Sequence, residues 1–162
     1  MSSWLDVALL AVLIVLNGVF AMSEISLVTS RRARLQRLID DKVAGAERAR
    51  ELNADPNRAL STIQVGITSI GILSGIVGES ALARPMEAFL VMVGLSPETA
   101  KAIGLFVVVV LITYFSIVMG ELVPKRIGQI SPERIACRLA PPIHCLSIIA
   151  APFVKLLSVS TH

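Results

Sequence analysis

The chain has 162 residues, of which 54% are apolar and only 17% charged, with a net charge of +3 and a mean hydropathy of +0.76. Soluble domains run nearer a quarter charged, so this composition excludes an ordinary soluble domain and points to a one-domain, all-α integral membrane protein. The basic residues cluster beside apolar spans, which argues against nucleic acid as a partner and for a lipid bilayer.

The first predicted span covers residues 4–29, with Trp4 as an interfacial anchor and Val7 to Val15 unbroken apolar. A helix needs about 20 apolar residues to cross the hydrocarbon core, and this segment supplies them. Asn17, Ser23 and Glu24 interrupt its second half. A cleaved signal peptide is a poor reading: Asp6 precedes any Lys or Arg, and the basic cluster follows the apolar stretch.

Arg31 to Arg58 holds eight basic and five acidic residues. The positive-inside rule places this loop in the cytoplasm and the N-terminus outside, as expected for a multi-pass protein of the inner (plasma) membrane. Leu35, Leu38, Ile39 and Val43 give a partial helical stripe, so short amphipathic helices are expected at the membrane surface.

The second predicted span covers residues 59–83. Ten of the twenty residues from Ser61 to Ser80 are Ser, Thr or Gly. Thr68, Gly71, Gly75 and Gly78 share one helical face, which reads either as a close-packing surface or as the wall of a polar cavity. Glu79 and Ser80 read as interfacial. Arg84 to Lys101 reads as a short outer connection broken by Pro85, Gly94 and Pro97, with Ser96 as N-cap of the next helix. The third span covers residues 99–122 and returns the chain to the cytoplasm.

The remaining apolar stretch carries Pro141, Pro142 and Pro152, with His144 and Lys155 inside it. A fourth span and a kinked helix lying in the cytoplasmic interface are both open, and the paired prolines favour the second. His144 reads as a structural residue. Cys137 and Cys145 are too far apart along a helix for a disulfide and lack a metal or redox spacing, so both read as packing residues. No Gly-rich phosphate loop, HExxH or Ser/His/Asp set is present, so the chain reads as a non-enzyme.

The chemistry concentrates at Gly120-Glu121-Leu122-Val123-Pro124-Lys125. Proline removes a backbone donor and clashes with the carbonyl four residues earlier, so Pro124 is expected to break the helix and free carbonyls near Gly120. A carboxylate beside free carbonyls is an oxygen-rich site of the kind hard cations prefer. An ionisable group inside a span is a functional-site hypothesis; the plainer reading pairs Glu121 with Lys125. Glu24 is the second acid, with pairing to Arg31 or Arg32 as its plainer reading. Together with hydroxyls of the second span the two acids would form a cation-sized pocket, as in broken-helix transporters.

This motif resembles the end of the third membrane helix in the CorC/cyclin-M family. Phe20-Ala21-Met22-Ser23-Glu24-Ile25-Ser26-Leu27-Val28 is similar to that family's first-helix motif, and Leu60-Ser61-Thr62-Ile63-Gln64-Val65-Gly66-Ile67-Thr68 to its second. The resemblance implies three transmembrane helices per subunit, a homodimer, and a juxtamembrane belt helix at about residues 131–158. It also implies a CBS-domain pair in the cytoplasm of full-length members, which the 162 residues do not include, so the sequence reads as part of a longer protein. It implies export of Mg²⁺, often coupled to Na⁺, or export of polyamines in some bacterial members; many members carry the older description hemolysin-like. Carried over by resemblance, the Mg²⁺ ligands are Glu121 and Gly120, with Glu24, Pro124 and Lys125 in support. Ala21 and Ile67 stand where the family often has Ser and Asn, and Ser23, Thr68 and Ser69 are the hydroxyls available in their place. The favoured function is Mg²⁺ export centred on Glu121, with organic-cation export and a non-transporting regulator acting through the CBS region as alternatives. The loss of Ser and Asn at 21 and 67 points toward organic-cation export.

Overall fold

The computed structural model describes residues 3–160, with side chains from Trp4 to Pro152; the side chain of Lys155 lies outside the described residues. Every element among them is helical. The helices are α1 (Ser3–Thr29), α2 (Arg32–Asp40), α3 (Ala46–Ala54), α4 (Pro56–Gly78), α5 (Arg84–Met92), α6 (Pro97–Ile117), α7 (Val123–Ile130) and α8 (Pro132–Ser160). Two π-helical turns join them without a break: Glu79–Ala83 between α4 and α5, and Val118–Leu122 between α6 and α7.

Among the described residues, four stretches are long and apolar enough to cross a membrane: Trp4–Thr29, Pro56–Met92, Pro97–Ile130 and Pro132–Pro152. The chain is therefore an all-α membrane protein, with one more qualifying stretch than the three spans the sequence predicts. Two expectations need correcting. Arg84 to Met92 is not a connection but a helical extension of α4, because the backbone widens into the π turn Glu79–Ala83 just before Pro85 and so takes up the proline without breaking the helix. Likewise Pro124 does not break the third helix. It lies in the first turn of α7, and the backbone widens into the preceding π turn instead. The predicted cap at Ser96 is present: its Oγ accepts from Thr99 N at 3.4 Å.

The main buried cluster lies at the end of the bundle that carries the basic segment Arg31 to Arg58. Leu27, Leu35, Ala49, Leu52, Ile63, Cys137 and Ile143 pack together there, with Leu38 and Ile39 against them, while Val43 stays exposed. Asn53 Nδ2 donates to Leu27 O at 2.8 Å and caps the end of α1. Gly45 turns the chain between α2 and α3 with φ +81°, and a Cβ there would overlap the Cys137 carbonyl. Glu133, buried at the start of α8, accepts from Arg31 N at 3.3 Å and pairs with Arg34 at 3.8 Å. From Pro132 as far as Ile148, α8 stays beside charged segments: His144, Ser147 and Ile148 face Glu51, Asp55 and Arg58 across one cleft. Both cysteines are free.

Nearer the middle of the chain α1 packs closely on the α6–α7 junction. A Cβ on Gly18 would come within 2.8 Å of Pro124 Cγ, and one on Gly128 within 3.0 Å of Met22 O. Much of α6 keeps exposed aliphatic and aromatic side chains, among them Phe106, Val110 and Tyr114.

Candidate cation site

The packing of α1 against the π turn Val118–Leu122 brings three charged side chains together. Lys125 Nζ lies 2.8 Å from Glu121 Oε1 and 3.3 Å from Glu24 Oε2, so one ammonium sits between two carboxylates. The pairing of Glu121 with Lys125, the plainer reading of the motif, is therefore present. Glu24 joins it rather than pairing with Arg31 or Arg32. In this arrangement the acids already bind a cation, the one on their own chain.

The π turn sets the backbone around Glu121. A π turn shifts the hydrogen-bond pattern by one residue, and such turns recur at functional sites. The Gly120 carbonyl is released from the regular pattern, as the proline implies, but it is not open: Asn17 Nδ2 donates to it at 3.0 Å. Gly120 is needed for this approach, since a Cβ would lie 3.1 Å from Asn17 Nδ2. Asn17 Oδ1, in turn, is buried without a hydrogen-bond partner. Buried side-chain acceptors are normally paired, so this oxygen is a free acceptor beside the acidic motif.

Glu121 and Asn17 open onto a cavity of about 340 Å³ between α1, α4 and α6. Its other polar walls are Ser74 and Glu79 from the α4 side and Thr113 and Ser116 from α6. Gly71 and Gly75 also line it, and a Cβ on either would meet nothing within 4 Å. The small-residue face of the second span thus lines a cavity at these two positions, while Gly78 packs against Ile112.

Only part of the ligand set read from the sequence converges here. Glu121 lines the cavity, Gly120 lies buried behind it, and Glu24, Pro124 and Lys125 surround them. Ser23 is buried on α1, but its hydroxyl donates to Val19 O at 2.7 Å. Thr68 and Ser69 are exposed and do not line the cavity. The hydroxyls that do line it, Ser74, Thr113 and Ser116, were not picked out in the sequence. Asn17 was noted there only as an interruption, and Glu79 was placed at the interface. The signal for Asn17 was its place as an amide in an otherwise aliphatic half-span.

Comparison with known proteins fits this architecture. Residues 8–162 match the model of the cyclin M transmembrane N-terminal domain. A UPF0053 protein of Synechocystis is 44% identical over 157 residues, covering 97% of this chain and 35% of the relative. The UPF0053 protein YhdT of Bacillus subtilis is 33% identical over 150 residues, 93% of this chain and 32% of the relative. The polyamine export protein of Escherichia coli K12 is 32% identical over 142 residues, 88% of this chain and 32% of the relative. The chain spans about a third of the length of these curated relatives. With the motifs, the helical architecture and the match over nearly its whole length in agreement, the chain belongs to the cyclin M transmembrane domain (CorC/CNNM) family.

Proposed function

We propose that this chain is the membrane-embedded part of a cation exporter whose site is centred on Glu121, and that its cargo is an organic ammonium ion. The observation that carries the reading is the Lys125 ammonium seated between Glu121 and Glu24. A carboxylate pair that holds one primary ammonium at 2.8 and 3.3 Å is built for the head of an amine cargo. The similarity to a protein named for polyamine export supports the same class.

Mg²⁺ export is the second reading, favoured by two carboxylates that share one cation. Mg²⁺ asks for near-octahedral oxygens at about 2.0–2.1 Å. Gly120 O is engaged by Asn17, and Thr68 and Ser69 are turned away. A compact Mg²⁺ shell would therefore require Asn17 to let go of that carbonyl and the missing ligands to be supplied by water. Na⁺ coupling rests on the family resemblance alone.

In this reading α8 lies along the cytoplasmic interface as a belt rather than crossing, since residues as far as Ile148 keep beside Glu51, Asp55 and Arg58. That leaves three spans, an outer N-terminus, and the exposed faces of α4 and α6 for lipid and a second copy of the chain. CBS domains would act on this part from the cytoplasm. The test is flux in proteoliposomes: labelled putrescine and ²⁸Mg²⁺ are offered in parallel to the wild-type chain and to Glu121→Gln. Putrescine flux that disappears in the variant supports the reading; Mg²⁺ flux alone would install the second one.

A further inference from the structure

The cavity holds a second carboxylate besides Glu121. Glu79 opens the π turn Glu79–Ala83, as Glu121 lies within the other π turn, and both line the same cavity. Their relative height follows from two close approaches between the antiparallel helices. Gly78 packs on Ile112, and Gly104 packs on Glu87, where a Cβ would lie 3.3 Å from its backbone nitrogen. Glu79 is therefore level with the region of Ile112, while Glu121 lies nine residues further along the same helical stretch. At about 1.5 Å per residue, the two carboxylate-bearing positions are offset by roughly 13 Å along the axis. Two acids that far apart cannot share one metal ion.

The wall between them is of a different character. Gly71 and Gly75 leave open space on the α4 side, and Ile112 and Ile117 present aliphatic carbon on the α6 side, with the hydroxyls of Ser74 and Ser116 interspersed. Beside Glu121 the unpartnered, buried Asn17 Oδ1 adds an acceptor for an N–H. Charged ends, a mainly aliphatic middle and a few hydroxyls are complementary to a linear polyammonium ion.

We infer that Glu79 and Glu121 hold opposite ends of one linear polyamine and that their separation sets the chain length the cavity prefers. This rests on the organic-ammonium reading of the Glu121 site and goes beyond it by assigning Glu79 as a specificity-determining residue. A triamine of spermidine length bridges the two acids. Four- and five-carbon diamines are shorter than the roughly 13 Å offset and pair with one acid at a time.

The experiment is a binding titration of the purified chain in detergent with butylammonium, putrescine and spermidine. The wild type binds in rising order, spermidine at least about tenfold more tightly than putrescine, since the extra contact is a charge-assisted hydrogen bond. Glu79→Gln removes that advantage, so that spermidine and putrescine bind it with similar affinity. Glu121→Gln weakens all three ligands. Glu79→Asp, which keeps the charge but shortens its reach, serves as the second variant and moves the preference toward spermine. A wild-type series without length preference, or a Glu79→Gln variant that retains the preference, overturns the inference while leaving the Glu121 site standing. Full binding in Glu121→Gln overturns the underlying reading as well.

Discussion

Replacing Lys125 by Met tests whether its ammonium occupies the place of the cargo. Met keeps the length and apolar stem of the side chain but removes the charge between Glu24 and Glu121. Two unit charges about 4 Å apart attract by about 4 kcal/mol at an effective dielectric of 20. The three side chains are 31%, 27% and 45% exposed for Lys125, Glu24 and Glu121, so solvent screens them substantially. Exposed pairs are measured at well under this figure, and the two contacts together are worth about 1–2 kcal/mol. A cargo cation that must displace Lys125 loses that amount in the wild type, so Lys125→Met binds putrescine about five- to thirtyfold more tightly. The assay is calorimetric titration of wild type, Lys125→Met, Glu121→Gln and the double variant. The gain disappears when Glu121→Gln is present, because the released carboxylate is what the ligand uses. Unchanged or weaker binding in Lys125→Met would refute competition between the lysine and the cargo.

Other consequences are structural. Gly45→Ala places a Cβ on a left-handed residue and against the Cys137 carbonyl, and is expected to destabilise the chain by at least about 1–2 kcal/mol; a thermal melt in detergent reads it as a lowered Tm. Asn17→Ala removes the hydrogen bond to Gly120 O, with an expected loss of about 1 kcal/mol in stability. If Asn17 also accepts from the cargo, the same variant weakens putrescine binding, whereas Asn17→Asp restores it and Asn17→Leu does not. Cys145 is exposed and Cys137 buried, so maleimide labels Cys145 alone. In sealed, oriented vesicles with α8 as a belt, labelling occurs from the cytoplasmic side, and labelling only from the outer side would contradict that placement.

Much of the architecture was legible because membrane helices announce themselves by continuous apolar runs. The apolar helices and the acidic motif at the end of one of them could be located in this way, and the Ser96 cap from the Ser-Pro-Glu sequence that follows Leu95. The Pro124 argument anticipated a disturbed backbone at Gly120, but periodicity alone could not tell a break from a π turn. Arg84 to Met92 reads as a connection in the sequence because Pro85 is a breaker inside a regular helix, whereas the π turn before it lets the helix continue. That Ser74 lines the cavity, and Thr68 and Ser69 do not, was not legible for a different reason. A stripe of small residues fixes which side chains share a face, but not how α4 is rotated and staggered against α6. That stagger is set by Gly78 meeting Ile112 and Gly104 meeting Glu87, contacts between distant parts of the chain. Asn17 escaped for the same reason, since its partner Gly120 lies 103 residues away.

The central claim is that Glu121 binds a cation and that an ammonium suits it better than a hydrated metal. Its most direct measurement is a paired calorimetric titration of the wild-type chain with putrescine and with Mg²⁺, repeated on Glu121→Gln. The account predicts saturable heat with putrescine, lost in Glu121→Gln, and tighter binding of putrescine than of Mg²⁺. Binding of Mg²⁺ in preference to putrescine, or putrescine binding that survives in Glu121→Gln, would contradict it.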